Sequence, residues 1–451
     1  MGGGRDSWTG YGKSVLALVA AAGLCACASR PINEPLTEID PGAGYRPDLL
    51  VPKRANNDPD TLFVLSFSGG GTRAAAFSYG VLEELRRTEV TVNGQRRRLV
   101  DEVDLITGVS GGSFTALSYA LYGDALFDQY EERFLKRNVQ SALVWRSLNP
   151  LNWPKLLSRH YGRSELAAEY YDDILFENAT YADLIDGQGP VAIAVGTDMT
   201  IGTRFGFYQY EFDLICSKLD SVHLSRAAAT SSAVPVVLSP VTFNNYGGTC
   251  GYRYPPWVDE IVEVDVDKRP AGRALERYKE MSALHDGANR PYLHLVDGGV
   301  SDNIGVRGVM DTLELAFLSQ DFYLERGMNR LRKVVVIVVD AHSETTRDWE
   351  KQAAPPGMIK QLLQSSGVPI ERYSFETIEL MKDRAAIAGW RRDLLVARLR
   401  LEGMSEAEAE ASVPKIEVHV MAVSFDRITD PVRRSKVQGL PTSFVLPAQD
   451  V

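Results

Sequence analysis

The chain has 451 residues, 45% of them hydrophobic and 24% charged, which is enough apolar mass for a full core and excludes both a stapled miniprotein and a disordered chain. With 49 lysines and arginines against 59 aspartates and glutamates, the formal charge of −10 offers no general attraction to a phosphate backbone, so no nucleic-acid partner is expected.

At the N-terminus, Arg5 and Lys13 precede an apolar run from Val15 to Ala26. The run is too short to cross about 30 Å of hydrocarbon as a helix and reads as the core of a signal peptide over residues 1–26. It closes on Leu24-Cys25-Ala26-Cys27, which resembles the bacterial lipobox. Cys27 fits as the acylated residue, with a large aliphatic residue three positions before it and a small one directly before it. Cys25 would place Leu24 at the small cleavage position. The resemblance implies a mature chain that starts at Cys27 and is held in the bacterial cell envelope by its acyl chains, without a transmembrane helix. Ser29 stands where an aspartate would favour the inner membrane, so the outer membrane is the expected location. An ordinary signal peptide with incidental cysteines is the alternative. Residues 27–60 are rich in Pro, Asn, Asp and Gly without periodicity and read as a tether.

The folded body is expected over 61–451. Thr61–Phe67 is a strand-like run, followed by Ser68-Gly69-Gly70-Gly71-Thr72-Arg73 and by helical apolar spacing across Ala74–Leu85. Consecutive glycines expose backbone N–H groups, which suits a phosphate cradle or an oxyanion hole. No Gly-Lys-Ser/Thr follows and no G-x-G-x-x-G forms, which weakens the phosphate reading. Arg73 is read as holding the loop through backbone carbonyls or as contacting an anionic head group. A second unit repeats the pattern: the strand Val103–Thr107 leads through Gly108-Val109-Ser110-Gly111-Gly112 into the helical Ser113–Leu121. This is a G-x-S-x-G elbow in the strand-to-helix context that projects a nucleophilic hydroxyl, with Gly108 and Gly112 giving the turn its clearance.

Residues 143–161 bring Trp145, Leu148, Leu151, Trp153, Leu156 and Leu157 together around two prolines. Such a cluster forms a lid, a lipid-facing surface or, more commonly, part of the core. Further strands are expected at Val191–Val195, Tyr292–Val296 and Val334–Val339. Apolar on both faces and alternating with helices, they predict an α/β fold with a mainly parallel sheet covered on both sides. Cys216 and Cys250, in a chain expected to be exported, are candidates for a disulfide or for two unpaired thiols. The charge-rich stretch 258–290 reads as a solvated excursion. Asp297-Gly298-Gly299 follows the strand Tyr292–Val296 directly, which puts a carboxylate at a strand end, with glycines that let the backbone turn sharply. Residues 355–412 are helical in pattern and 416–425 strand-like.

The segments SGGGTRAAAFSYGVLEEL, GVSGGSF, RAAATSSAVPVVLSPV and VDGGVSDNIGV occur in the order, and with roughly the spacing, of the patatin-like phospholipases. The resemblance runs from about Thr61 to Gly308. It implies the patatin-like α/β fold, acyl-ester hydrolysis on lipid or phospholipid, and a serine–aspartate dyad needing no metal or other cofactor. Carried over residue by residue, Ser110 is the nucleophile, Asp297 the base, and Gly69, Gly70 and Gly71 the oxyanion loop. Ser68 departs from the aspartate that often opens the glycine loop, and Ala74 from the glycine that often follows the arginine. Two alternatives stay open: an ordinary α/β-hydrolase with a Ser110-Asp297-His342 triad, and a catalytically silent anchored scaffold.

Overall fold

A run of β-branched and aromatic residues that is apolar on both faces can be satisfied only inside a sheet covered on both sides, and this chain builds its centre from such runs. In the computed structural model, which describes residues 29–54, 58–258, 272–318, 320–343, 351, 353–413 and 416–451, the strands are β1 (Thr61–Phe67), β2 (Glu89–Val92), β3 (Gln95–Arg98), β4 (Leu105–Val109), β5 (Val191–Asp198), β6 (Arg204–Gly206), β7 (Val241–Asn244), β8 (Tyr292–Asp297), β9 (Lys333–Asp340) and β10 (Glu417–Ser424). The main sheet has the order β10-β9-β1-β4-β5-β8-β7, with β6 also paired to β5, while β2 and β3 form a separate hairpin. From β10 to β5 every pairing is parallel. β8 then runs antiparallel to both β5 and β7.

The pleat divides the core. Phe63, Leu65 and Phe67 of β1 face one apolar cluster with Ile106, Phe114 and Val195. Val64 faces the other, with Val334, Val336 and Val338 of β9 and with Ile378 and Met381. The helices that matter for the site are α1 (Gly71–Arg87), α2 (Gly111–Tyr122), α3 (Val139–Leu148), α4 (Arg163–Tyr171), α5 (Leu224–Ser231) and the long α6 (Met358–Leu401). α6 supplies Ile378 and Met381 to the second cluster and so covers the β9 side of the sheet. The α/β architecture, the mainly parallel sheet and the helical C-terminal part are as expected.

Three local expectations are corrected. The segment read as a tether docks on the body where it is described: Tyr45 is buried, its hydroxyl bonds to Ala192 of β5, and Arg46, fully enclosed, pairs with Asp213 at 2.7 Å. Its loop-like composition reflects irregular backbone, and the long-range ion pair that fixes it leaves no local pattern. The stretch 258–290 is not wholly a solvated excursion. Its helix Gly272–His285 buries Ala274, Met281 and Leu284, and Arg277 reaches the fully buried Glu211 at 2.6 Å. The aromatic cluster at 143–161 is, for the most part, not core: Trp145 is 72% exposed, Leu151 84% and Leu157 73%. Cys27 and the expected signal peptide lie outside the described residues.

Cys216 and Cys250 are joined, their Cα atoms 5.5 Å apart and both side chains buried. The closed loop spans a sequence separation of 34. Cys216→Ser is therefore expected to lower stability by about 3 to 4 kcal/mol, on the chain-entropy account of a loop this long. Thermal melting of oxidised protein checks this, and an unchanged midpoint contradicts it.

Candidate active site

β1 and β4 are hydrogen-bonded parallel neighbours, so the turns that follow them come out at the same edge of the sheet. The turn after β4 carries Ser110 at φ 49°, ψ −120°, a conformation a non-glycine residue holds only when its surroundings over-determine it. Here they do. The Ser110 N–H donates to Ser231 Oγ at 2.9 Å, and the Ser110 carbonyl accepts from Ser113 N–H and Oγ. The next residue opens α2, so the hydroxyl sits at a helix N-terminus. Gly112 is demanded by proximity: a Cβ there would lie 2.7 Å from the carbonyl oxygens of Phe67 and Ser68.

The turn after β1 lies alongside. Ser68 continues the pairing of β1 with β9, its N–H on the Val339 carbonyl and its hydroxyl accepting from Ala341 N–H at 2.9 Å. A hydroxyl thus performs a structural task at this position. Gly69 sits against Ser110, but its N–H is committed to the Asn303 carbonyl at 2.8 Å. Gly70 has φ 141° and Gly71 φ 63°, and a Cβ on Gly71 would come within 2.2 Å of the Ser443 carbonyl oxygen. Among the described residues, neither the Gly70 nor the Gly71 N–H has a partner. The loop's free donors are therefore Gly70 and Gly71, and Gly69 is a spacer. Arg73 is 4% exposed, with donors on the carbonyls of Ala341 and Leu440 and on Thr442 Oγ1. It holds the loop and the C-terminal segment; its buried, committed guanidinium is not placed for a head group. Burial lowers its pKa to about 10.

Asp297 reaches the same place from the opposite direction. Because β8 is antiparallel to β5, it descends from beyond the sheet edge and ends with Asp297 opposite Gly196. The carboxylate end of this strand is thus level with the tip of β4 for a reason the parallel-sheet rule does not supply. Asp297 is 7% exposed and Ser110 6%. Burial pushes the Asp297 carboxyl up to about 6, opposed by hydrogen bonds it accepts from the Gly299 N–H, at 2.7 Å, and from the Ser110 hydroxyl. Gly298 is ordinary right-handed backbone at φ −63°, so it is not needed for a sharp turn. A Cβ there would sit 2.1 Å from the Val195 carbonyl oxygen, and it is clearance that requires glycine. Asp297 N–H donates to the Ala233 carbonyl and Gly298 N–H to that of Ser231, so the end of α5 fixes both Ser110 and Asp297.

His342 lies elsewhere. It follows β9, separated from β4 by β1, with its N–H on Asp340 Oδ1 at 3.1 Å and its charge interaction with the same carboxylate. The structure brings Ser110, Asp297 and the glycine loop together, and among the described residues no contact joins His342 to Ser110 or Asp297. Sequence reasoning missed Ser231, the Asn303 carbonyl and Ser443, which meets the glycine loop from more than 360 residues away in sequence by accepting the Thr72 N–H at 2.9 Å. Ser231 and Asn303 lay inside motifs already noticed, whereas Ser443 carried no local signal. A cavity of about 220 Å³ beyond the one-turn helix Gly299–Asp302 is lined by Arg204, Arg277, Ser301, Arg307 and Asp311. Its ion pairs, Arg204 with Asp311 among them, make it a charged crevice separate from Ser110.

Among solved structures, the chain is similar to human GIVD cytosolic phospholipase A2, at 12% identity over 71% of this chain and 49% of that one, with a TM-score of 0.35. A second structure of that enzyme, in complex with the inhibitor methyl gamma-linolenyl fluorophosphonate and terbium chloride, matches at 14% identity over 62% and 41%, with a TM-score of 0.32. The chain spans about half the length of the first of these. No curated protein sequence matches it. The family model described as patatin-like phospholipase matches residues 65–310, more than half of the chain, from the end of β1 through the glycine loop, Ser110 and Asp297 to Arg307. The chain belongs to the patatin-like phospholipase family.

Proposed function

We propose that the protein is a lipid acyl hydrolase that cleaves carboxylic esters of phospholipids or related lipids through Ser110 and Asp297. One observation carries the reading: the buried Ser110 and the buried Asp297 carboxyl, which interact, are brought level at the ends of β4 and β8 beside the Gly70 and Gly71 N–H groups, which have no partner among the described residues. A serine hydroxyl needs a base at neutral pH, and a carboxyl with a raised pKa accepts a proton more readily than an exposed one. In the proposed sequence, Ser110 Oγ attacks the ester carbonyl while its proton passes to Asp297. The tetrahedral oxyanion is held by the Gly70 and Gly71 N–H groups at the N-terminus of α1. Collapse breaks the ester bond, and the departing alcohol takes the proton from Asp297. Water then attacks the acyl-Ser110 ester, giving its proton to Asp297. When that intermediate breaks, Ser110 regains the proton and the fatty acid leaves.

Mass spectrometry of fatty acids released from phospholipid vesicles tests the proposal against Gly70→Val, which leaves both reacting side chains in place. Gly70 has φ 141°, a conformation L side chains avoid, so the variant should displace the donors and cost roughly 10²-fold in turnover. No fatty acid released by the wild-type protein defeats the reading.

The second part of the proposal is anchoring: acylation at Cys27 holds the enzyme on a membrane of the cell envelope, the outer membrane by the residue at position 29. Among the described residues no helix is long and apolar enough to cross a membrane. Metabolic labelling with palmitate is expected to mark the wild-type chain and not Cys27→Ala. Absence of label from the wild type removes the anchor.

A further inference from the structure

The exposed helical segment between Val139 and Leu157 takes no part in the proposed chemistry. On α3, Val144, Trp145 and Leu148 share one exposed face, since positions three and four apart are neighbours on a helix. The corner that follows is held by Asn149 and Asn152: the Asn149 side chain caps Leu151 N–H, and Asn152 Nδ2 donates to the Arg146 carbonyl. This corner carries Leu151, and the next helical turn adds Trp153 and Leu157. A ridge of two tryptophans and three leucines, each more than half exposed, is a surface that soluble proteins rarely leave facing water.

The ridge borders the candidate site by two routes. Gln140 N–H donates to the Phe444 carbonyl, next to the Ser443 that meets the glycine loop. On the other side Arg163, which opens α4, donates to the Val236 carbonyl, three residues beyond the Ala233 that holds Asp297. Val236 and Val237 are themselves 65% and 58% exposed.

We infer that this ridge, with Val236 and Val237, is the surface on which the enzyme rests against a lipid bilayer. Two further observations select a bilayer as its occupant. Arg30 N–H donates to the His160 carbonyl at 3.0 Å, so the chain joins the described body immediately beside the ridge. Arg30 stands three positions after Cys27, a reach of at most about 11 Å, so acyl chains on Cys27 would enter the membrane near this end of the ridge. This part rests on the anchoring proposed above. Charge supplies the second argument. In a chain of net charge −10, the stretch from Val139 to Arg163 holds Arg146, Lys155, Arg159 and Arg163 and no aspartate or glutamate. Arg146 and Lys155 pair with Asp173 and Glu169 from outside the stretch, while Arg159 and Arg163 stay exposed without a carboxylate partner among the described residues. Tryptophans, leucines and unpaired arginines together are the composition that settles at an anionic lipid interface.

The test uses the full chain reconstituted into vesicles of phosphatidylcholine and phosphatidylglycerol whose acyl chains are brominated near the head group. Tryptophan emission should be quenched relative to unbrominated vesicles, and Trp145→Phe with Trp153→Phe should remove more than half of that quenching. Leu151→Asp with Leu157→Asp, both at exposed positions, should reduce the quenching of Trp145 and Trp153 several-fold without moving the melting temperature. Equal quenching in the wild type and the double phenylalanine variant would place the bilayer elsewhere, against Trp390 for example, and overturns the inference. Unquenched emission with a doubled mass in light scattering overturns it in favour of a second copy of the chain. Quenching without palmitate on Cys27 retains the docking surface and removes only the anchor.

Discussion

Replacing Ser110 with alanine is expected to lower acyl-ester turnover by about three orders of magnitude or more, with the fold unchanged. The size follows from the role: without the hydroxyl there is no acyl intermediate, and what remains is the polarisation of a bound carbonyl by the Gly70 and Gly71 N–H groups, since groups that act as a unit do not contribute additively. The fold should tolerate the change. The contacts that hold position 110 use its backbone, namely its N–H on Ser231 Oγ and its carbonyl with Ser113, and alanine keeps them. Alanine also keeps the positive φ and its strain, so no gain in stability from relief of the elbow is expected. Turnover measured beside a melting curve checks both halves. Retained hydrolysis would remove Ser110 from the mechanism.

Asp297→Asn is expected to be nearly as damaging, because a dyad has no second group to take the serine proton. Two further signatures separate a base from a structural carboxylate. The first is the pH profile of the wild-type enzyme. Only the carboxylate form accepts the proton, so kcat/KM should rise with pH and level off above about 6, where burial has placed the group. The second is stability. An acid whose folded-state pKa is raised from 3.8 to about 6 binds its proton more tightly folded than unfolded. Its contribution is therefore destabilising, growing as the pH rises from about 4 to 6 and fully present above that, on the order of 3 kcal/mol. Asparagine removes this cost and can still accept the Gly299 N–H, so at pH 8 the inactive variant should melt at or above the wild-type temperature. A variant that melts well below it would show Asp297 to be chiefly a structural anchor.

Much of the site was legible because its pieces are local. The glycine loop and the G-x-S-x-G elbow each sit between an apolar strand run and a helix start, and β1 matches its predicted span residue for residue. Asp297 was visible through Asp-Gly-Gly after a strand, but neither the direction of that strand nor the role of its glycines is local. The direction of β8 depends on the path of the chain after β5, where no short crossover forces a parallel return. Gly298 serves clearance against Val195 rather than backbone freedom. What the sequence could not disclose was long-range hydrogen bonding by ordinary residues: Ser231 under Ser110, the Asn303 carbonyl on Gly69, and Ser443 against the glycine loop. The docking of Tyr45 and Arg46 is of the same kind, because an Arg46–Asp213 pair leaves no periodicity in a segment whose composition reads as loop. The Trp145–Leu157 ridge was seen as a cluster, but its exposure depends on whether any element of the fold covers it.

On the proposed mechanism, Ser110 is the residue acylated during turnover, and Asp297, without an imidazole, makes it reactive. A fluorophosphonate probe, which bonds covalently to an activated serine, followed by peptide mass spectrometry, reads this directly in the wild type, Asp297→Asn and His342→Ala. One adduct on Ser110, forming at least 10²-fold more slowly in Asp297→Asn and at the wild-type rate in His342→Ala, is the predicted result. An adduct on a different serine, or labelling of Ser110 that collapses in His342→Ala with an unchanged melting temperature, would contradict the dyad.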